Sequence, residues 1–145
     1  MPESYSIRSM EPGDYPEVFE LWNNGEGIGL SQADSEENIA KFLERNPRLS
    51  FVAVHADKIV GTILCGHDGR RGYIYHLIVS AACRNRGIGR ALVEASLRRL
   101  KEQGIDKCHL FVFDDNELGK RFWKKSGWTL REDIVIMSRH TSQGE

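Results

Sequence analysis

An α+β fold, built on a mixed and mostly antiparallel sheet with helices on both faces, is the architecture this sequence predicts. Three features predict it. Apolar runs at residues 49–55 and 59–65 are joined by only Ala56-Asp57-Lys58, a link short enough for an antiparallel hairpin. Residues 73–79 form a β-branched and aromatic run that leads through a basic, glycine-containing turn into a helically spaced segment. Along the chain, strand and helix signals follow the order β-α-α-β-β-β-α-β-α-β-β, without an internal repeat or a low-complexity stretch.

The first strand is residues 5–10, which alternate. Pro12-Gly13-Asp14 punctuates, with Asp14 placed to cap a helix that carries Val18, Leu21 and Trp22 on one face. Residues 23–30 hold Gly25, Gly27 and Gly29 and form a loop. Asp34 followed by Glu37 has the shape of a capping box, opening a second helix with Ile39, Phe42 and Leu43 inward and an end near Asn46-Pro47. After the hairpin, a polar turn over residues 66–72 leads to the strand 73–79. Ile88, Ala91, Leu92, Ala95 and Leu100 then mark a helix to about Gln103, where Gly104 supplies a left-handed position. Residues 108–113 are a strand, and Asp114-Asp115-Asn116 caps a helix bearing Leu118, Phe122 and Trp123 that stops at Gly127. Residues 128–130 and 134–137 read as the final strands, and residues 140–145 as a loose tail.

A chain of 145 residues with 40% apolar and 28% charged residues reads as a single domain, 1–145, able to bury its own core. Its net charge of -1 disfavours a nucleic-acid or anionic-membrane partner. No apolar run is as long as a membrane span and residues 1–4 do not begin a signal peptide. Cys65, Cys83 and Cys108, odd in number and far apart, read as reduced thiols of a cytoplasmic protein. The scattered histidines and cysteines predict no metal site. Trp128 and residues 134–137 offer an apolar edge for a homodimer.

The chemistry-bearing stretch is Cys83-Arg84-Asn85-Arg86-Gly87-Ile88-Gly89-Arg90. A strand ends before it and a helix begins within it. The first amides of a helix have no partner inside it and carry the positive end of its dipole, so a turn with two glycines and three arginines there is a phosphate cradle. Gly-Lys-Ser/Thr is absent, and Leu92 stands where a dinucleotide-binding loop needs its third glycine, so neither of those loops fits.

The pattern Arg84-x-x-Gly87-x-Gly89 after a strand ending Leu77-x-Val79 resembles the acetyl-CoA loop of the GNAT superfamily of N-acetyltransferases. Leu110-x-Val112-x-x-x-Asn116 followed by Phe122-Trp123-x-x-x-Gly127-Trp128 resembles that family's strand-Asn-helix segment, which ends Tyr-x-x-x-Gly-Phe. The resemblance implies the GNAT fold and transfer of acetyl from acetyl-CoA, used as cosubstrate without a metal, to a primary amine of a small molecule or a protein N-terminus. It also implies that Arg84, Asn85, Arg86, Gly87, Ile88, Gly89 and Arg90 hold the pyrophosphate. The backbone of Leu77, Ile78 and Val79 would bond the pantetheine arm between strands 73–79 and 108–113, and Asn116 and Trp123 would touch it from the other side.

One departure matters. The family's usual acid is the Tyr of Tyr-x-x-x-Gly-Phe, and Trp123 stands there. An indole N–H does not deliver protons. Either a thiolate leaves unaided, or another hydroxyl substitutes, or the domain is a coenzyme A-binding sensor with little catalysis. Some family members carry ionisable residues where this chain has Tyr73 and Tyr75, so these are the candidate relay, Tyr75 foremost; packing aromatics are the other reading. Alternation puts Tyr73, Tyr75, Leu77 and Val79 on one face of the strand and Ile74, His76 and Ile78 on the other. His76 has the right chemistry for a base but reads as turned away unless a bulge intervenes. Asp68 and Asp114, at strand ends, are either bases or turn residues.

Overall fold

Pairing partners decide which apolar runs become strands. In the computed structural model, which describes residues 4–25 and 28–142, five strands form one sheet in the order β1-β2-β3-β4-β5. They are β1 (Ser6–Ser9), β2 (Phe51–His55), β3 (Lys58–His67), β4 (Gly72–Val79) and β5 (Cys108–Leu110). The first three pairings are antiparallel and β4–β5 is parallel. The helices are α1 (Tyr15–Asn24), α2 (Glu36–Arg45), α3 (Ile88–Glu102) and α4 (Glu117–Lys125). The described residues divide into two compact units, after Phe113. The expectations for Gly27 and for residues 143–145 of the tail lie outside the described residues.

The hairpin forms as its short link requires: Ala56 and Asp57 are both left-handed, at φ 51° and 64°, so His55 pairs directly with Lys58. One face of the sheet packs on α1 and α2 through Val18, Trp22, Ile39, Leu43, Val52, Leu64 and Ile78. The other packs on α3. A Cβ at Gly61 would lie 3.2 Å from both Ile88 and Leu92, so glycine lets the first turns of α3 sit down on β3. Leu92 is fully buried there. The helix ends as expected, with Gly104 at φ 83°.

Three local expectations are corrected. Asp14 stands at the start of α1 but its carboxylate does not cap it; it accepts from the Glu11 amide at 2.8 Å and from both Arg8 terminal nitrogens at 2.9 Å. Asp34 and Glu37 make no capping box: Ser35 caps α2 through the Asn38 amide at 3.2 Å, while Asp34 closes a 3-10 turn, its Oδ2 accepting from the Ser31 amide at 3.0 Å. A serine on each side caps as well as an aspartate does, which frees Asp34 for another partner. Residues 128–130 and 134–137 are not strands, and β5 stops at Leu110 rather than 113. Val135 and Met137 are 87% and 91% exposed. β propensity is realised against a neighbouring strand, and none pairs with them among the described residues.

The Arg8 fork and the Glu11 amide hold the Asp14 carboxyl below the usual carboxylate range. A depressed native value stabilises the fold above about pH 4 and loses that stabilisation as pH falls through the lower folded value. Asp14→Ala is therefore expected to cost about 1 kcal/mol at pH 7 in urea unfolding. The difference from wild type should shrink below about pH 4; a deficit independent of pH would refute the pairing's role.

Candidate active site

The cradle is assembled where the end of β4 passes into α3. Ser80 accepts from the Cys83 amide at 2.9 Å, closing a 3-10 turn, and Arg84 Nε donates to the Val79 carbonyl at 3.2 Å, tying the loop back to the strand. Asn85 and Gly87 are left-handed, at φ 65° and 81°, and between them they swing the loop round Arg86. Gly87 precedes α3 with no side chain capping the helix, and a Cβ on it would meet nothing within 4 Å. The first intrahelical bond runs from the Ala91 amide to the Gly87 carbonyl at 3.0 Å, so the Ile88 and Gly89 amides precede the ladder. Arg84, Arg86 and Arg90 are exposed around them. Residues 84–90 thus form an open, electropositive helix N-terminus.

Beside it, β4 and β5 part company. Gly72, Tyr73 and Ile74 pair with Cys108, His109 and Leu110, after which β4 continues through residues 75–79 with no strand on that side among the described residues. An extended arm would find an unpaired strand edge there, leading to the cradle. Both observations fit coenzyme A: the helix start for its diphosphate and the strand edge for its amide-bearing arm.

The regular alternation expected along β4 is corrected. Leu64 pairs with Tyr75 but Thr62 pairs with Ile78, so His76 and Leu77 together oppose one residue of β3. His76 takes a φ of 51° at this bulge. Beyond it the faces exchange: Ile78 joins the α1–α2 core with Tyr75 on the same side, whereas Val79 stands opposite Gly61 on the α3 side. His76 is accordingly not turned away from Tyr75's side. Its Nε2 lies 2.7 Å from Asp34 Oδ1, and its ring meets the edge of Trp22 at 5.0 Å.

Tyr75 is 36% exposed and belongs to a run of rings: Phe42 at 6.2 Å, Tyr73 stacked at 6.5 Å, and Phe111 and His109 at 6.4 and 5.8 Å from Tyr73. Desolvation, then the neighbouring Tyr73, pushes the Tyr75 hydroxyl above its ordinary value, so it remains a donor at neutral pH. Asp68 is a turn residue: its Oδ1 accepts from the Arg71 and Arg70 amides at 2.9 and 2.8 Å, and these bonds lower its pKa. In the second unit, Asn116 Oδ1 caps α4 through the Gly119 amide at 2.9 Å. Asp114 bonds Lys120 at 3.3 Å, and Trp123 packs edge-on against Phe122 and Trp128, each at 5.1 Å.

Asp34, Trp22, Phe111 and His109 were not legible as site residues. Asp34 sits 42 positions from His76 and meets it only through the bulge, which no glycine or proline marks. A polar residue in an otherwise apolar strand, His76 itself, was the available signal.

An uncapped basic helix start beside a parted pair of parallel strands is an arrangement that could hold a diphosphate and an extended, amide-bearing arm. A model of the Acetyltransferase (GNAT) family matches residues 15–128. Among curated relatives, "Acetyltransferase SG1711" of Sodalis glossinidius (strain morsitans) is 31% identical over 133 residues, covering 92% of this chain and 93% of that protein. "Acetyltransferase plu1384" of Photorhabdus laumondii is 36% identical over 134 residues, covering 92% and 93%. The crystal structure of PaiA N-acetyltransferase from Thermoplasma acidophilum in complex with coenzyme A shares the fold, with a TM-score of 0.80 at 20% identity over 90% of this chain and 93% of that one. The chain belongs to the GNAT family, and its reaction is acetyl transfer from acetyl-CoA. Among the described residues, no helix is long and apolar enough to cross a membrane.

Proposed function

We propose that this chain moves the acetyl group of acetyl-CoA directly to a primary amine, carried by a small molecule or a protein N-terminus, within the cleft beside Tyr75. The observation that carries the reading is the uncapped start of α3 at the end of an unpaired β4 edge. Acetyl-CoA supplies the activated acyl group as a thioester. The Ile88 and Gly89 amides, with the charges of Arg84, Arg86 and Arg90, hold its diphosphate; Asn85 and Gly87 shape the loop for that approach. The backbone of Leu77, Ile78 and Val79 bonds the arm, and one amide of this edge faces the oxygen on which negative charge develops.

Direct transfer, without an acyl-cysteine, is supported by the thiols near β4. Burial pushes Cys65 up to about 12 and Cys108 up to about 11, so neither presents a thiolate at neutral pH. An acceptor amine of pKa near 10.4 costs about 4 kcal/mol to deprotonate at about pH 7.4, so a proton path must accompany attack. Tyr75, with Tyr73 stacked behind it, is the hydroxyl we assign to that path in place of the missing tyrosine at position 123.

The test is coenzyme A release on mixing acetyl-CoA with a panel of primary amines. Tyr75→Phe is expected to lower kcat by about 10- to 100-fold with little change in KM. Equal activity at every pH would leave Tyr75 a packing residue, and silence of wild type across the panel would remove the proposed acceptor class.

A further inference from the structure

The bulge in β4 holds a group that the reading above does not use. His76 is 14% exposed at its side chain, and Asp34, at 10%, lies 2.7 Å from its Nε2. Asp34 is itself fixed from several sides: Oδ2 accepts from the Ser31 amide at 3.0 Å, and its backbone carbonyl accepts from the Tyr15 hydroxyl at 2.6 Å. A non-glycine residue at φ 51° inside a strand is a strained conformation that persists only where its surroundings demand it. The groups around His76 are Asp34 from the 3-10 turn, Trp22 from α1 and Tyr75 beside it on β4; Glu36 of α2 acts on Tyr15 behind Asp34.

We propose that His76, oriented by Asp34, is the proton acceptor for the incoming amine; this rests on the acetyl-transfer reading and deepens it. While Asp34 is ionised it only accepts, so Nε2 carries the ring proton and Nδ1 keeps the lone pair. No protein partner is assigned to Nδ1 among the described residues. Two buried polar atoms in this layer lack protein partners: Trp22 Nε1, whose ring meets His76, and Thr62 Oγ1, opposite Ile78. A polar, under-satisfied layer of this kind is where a substrate nitrogen or a bridging water is taken up. His109, the imidazole beside Tyr73, has no carboxylate partner among the described residues to fix its tautomer.

The proton count closes on one imidazole. The ammonium first gives its extra proton to solvent; the neutral amine nitrogen then gains the acetyl carbon and gives one proton to Nδ1, and the C–S bond breaks with its electron pair on sulfur. The sulfur then takes that proton from the imidazolium, directly or through the Tyr75 hydroxyl, and His76 returns to its starting form. Imidazolium is in general a stronger acid than an alkyl thiol, so the return step runs downhill. The same group serves as base and then as acid, which removes the need for a hydroxyl at Trp123.

His76→Gln keeps a side-chain amide for Asp34 Oδ1 and removes the base. With whichever of tyramine, spermidine and an alanine-starting peptide wild type acetylates fastest, kcat at pH 7 is expected to fall about 100-fold. The acid limb of the pH dependence of kcat/KM should vanish, while calorimetric acetyl-CoA affinity stays unchanged. Asp34→Asn should give a smaller fall, about 10-fold, with the acid limb displaced. A second readout needs neither activity nor a folded variant: nitrogen-15 NMR of wild-type protein should place the proton of neutral His76 on Nε2. A proton on Nδ1, or a His76→Gln enzyme slower only in proportion to its lost stability with an unaltered pH profile, overturns the proposal. Failure of wild type to bind acetyl-CoA would instead overturn the acetyl-transfer reading, and the tautomer would still report on the His76–Asp34 pair.

Discussion

Gly89→Glu is expected to abolish productive acetyl-CoA binding, raising Kd by about 100-fold or more, roughly 3 kcal/mol. Gly89 lies in the first turn of α3, where the amide at its own position and at Ile88 point to the helix start. A glutamate there brings both bulk and negative charge to the place where a diphosphate meets the positive end of the helix. Glutamate in a first helical turn is not itself destabilising, so the fold should survive and circular dichroism should match wild type. Unchanged calorimetric affinity in a folded variant would remove the cradle from the account altogether.

Trp22→Ala is expected to cost about 3–5 kcal/mol in denaturant unfolding, the largest stability loss among single truncations on the α1–α2 side. Trp22 is 1% exposed, meets Tyr15 at 6.3 Å and His76 at 5.0 Å, and belongs to the cluster that joins α1 and α2 to Leu64 and Ile78 of the sheet. Its indole also forms the wall against which the His76 ring is held. A loss below about 1 kcal/mol would mean that the site collapses around the missing ring and that His76 owes its orientation to Asp34 alone.

What was legible in the sequence is what depends on short-range chemistry. The Ala56-Asp57 link, the entry to α3 at Gly87, its exit at Gly104 and the stop at Gly127, φ 95°, all rest on residues whose backbone preference is local. The loop and helix start at residues 84–90 belong to the same class, since they are contiguous. What stayed hidden depends on distant partners. The bulge at His76 comes from a mismatch in length between β3 and β4, with no punctuating residue to announce it. Asp34 looked like a helix cap because its intended partner is 42 residues away. The apolar residues at 134–137 looked like a strand because composition reports affinity for a sheet and not the presence of one.

The exchange of faces in β4 separates two properties that a regular strand would couple. Up to Tyr75 the strand carries aromatic side chains on the α1–α2 side, and beyond it an edge with no paired strand among the described residues; under the proposed function the first meets the amine and the second the acyl donor. Under the proposed function, substitutions at Tyr73 or Tyr75 are expected to change which amine is accepted while acetyl-CoA affinity stays unchanged. A scaffold divided in this way lets acceptor choice drift from one descendant to the next while the donor stays the same.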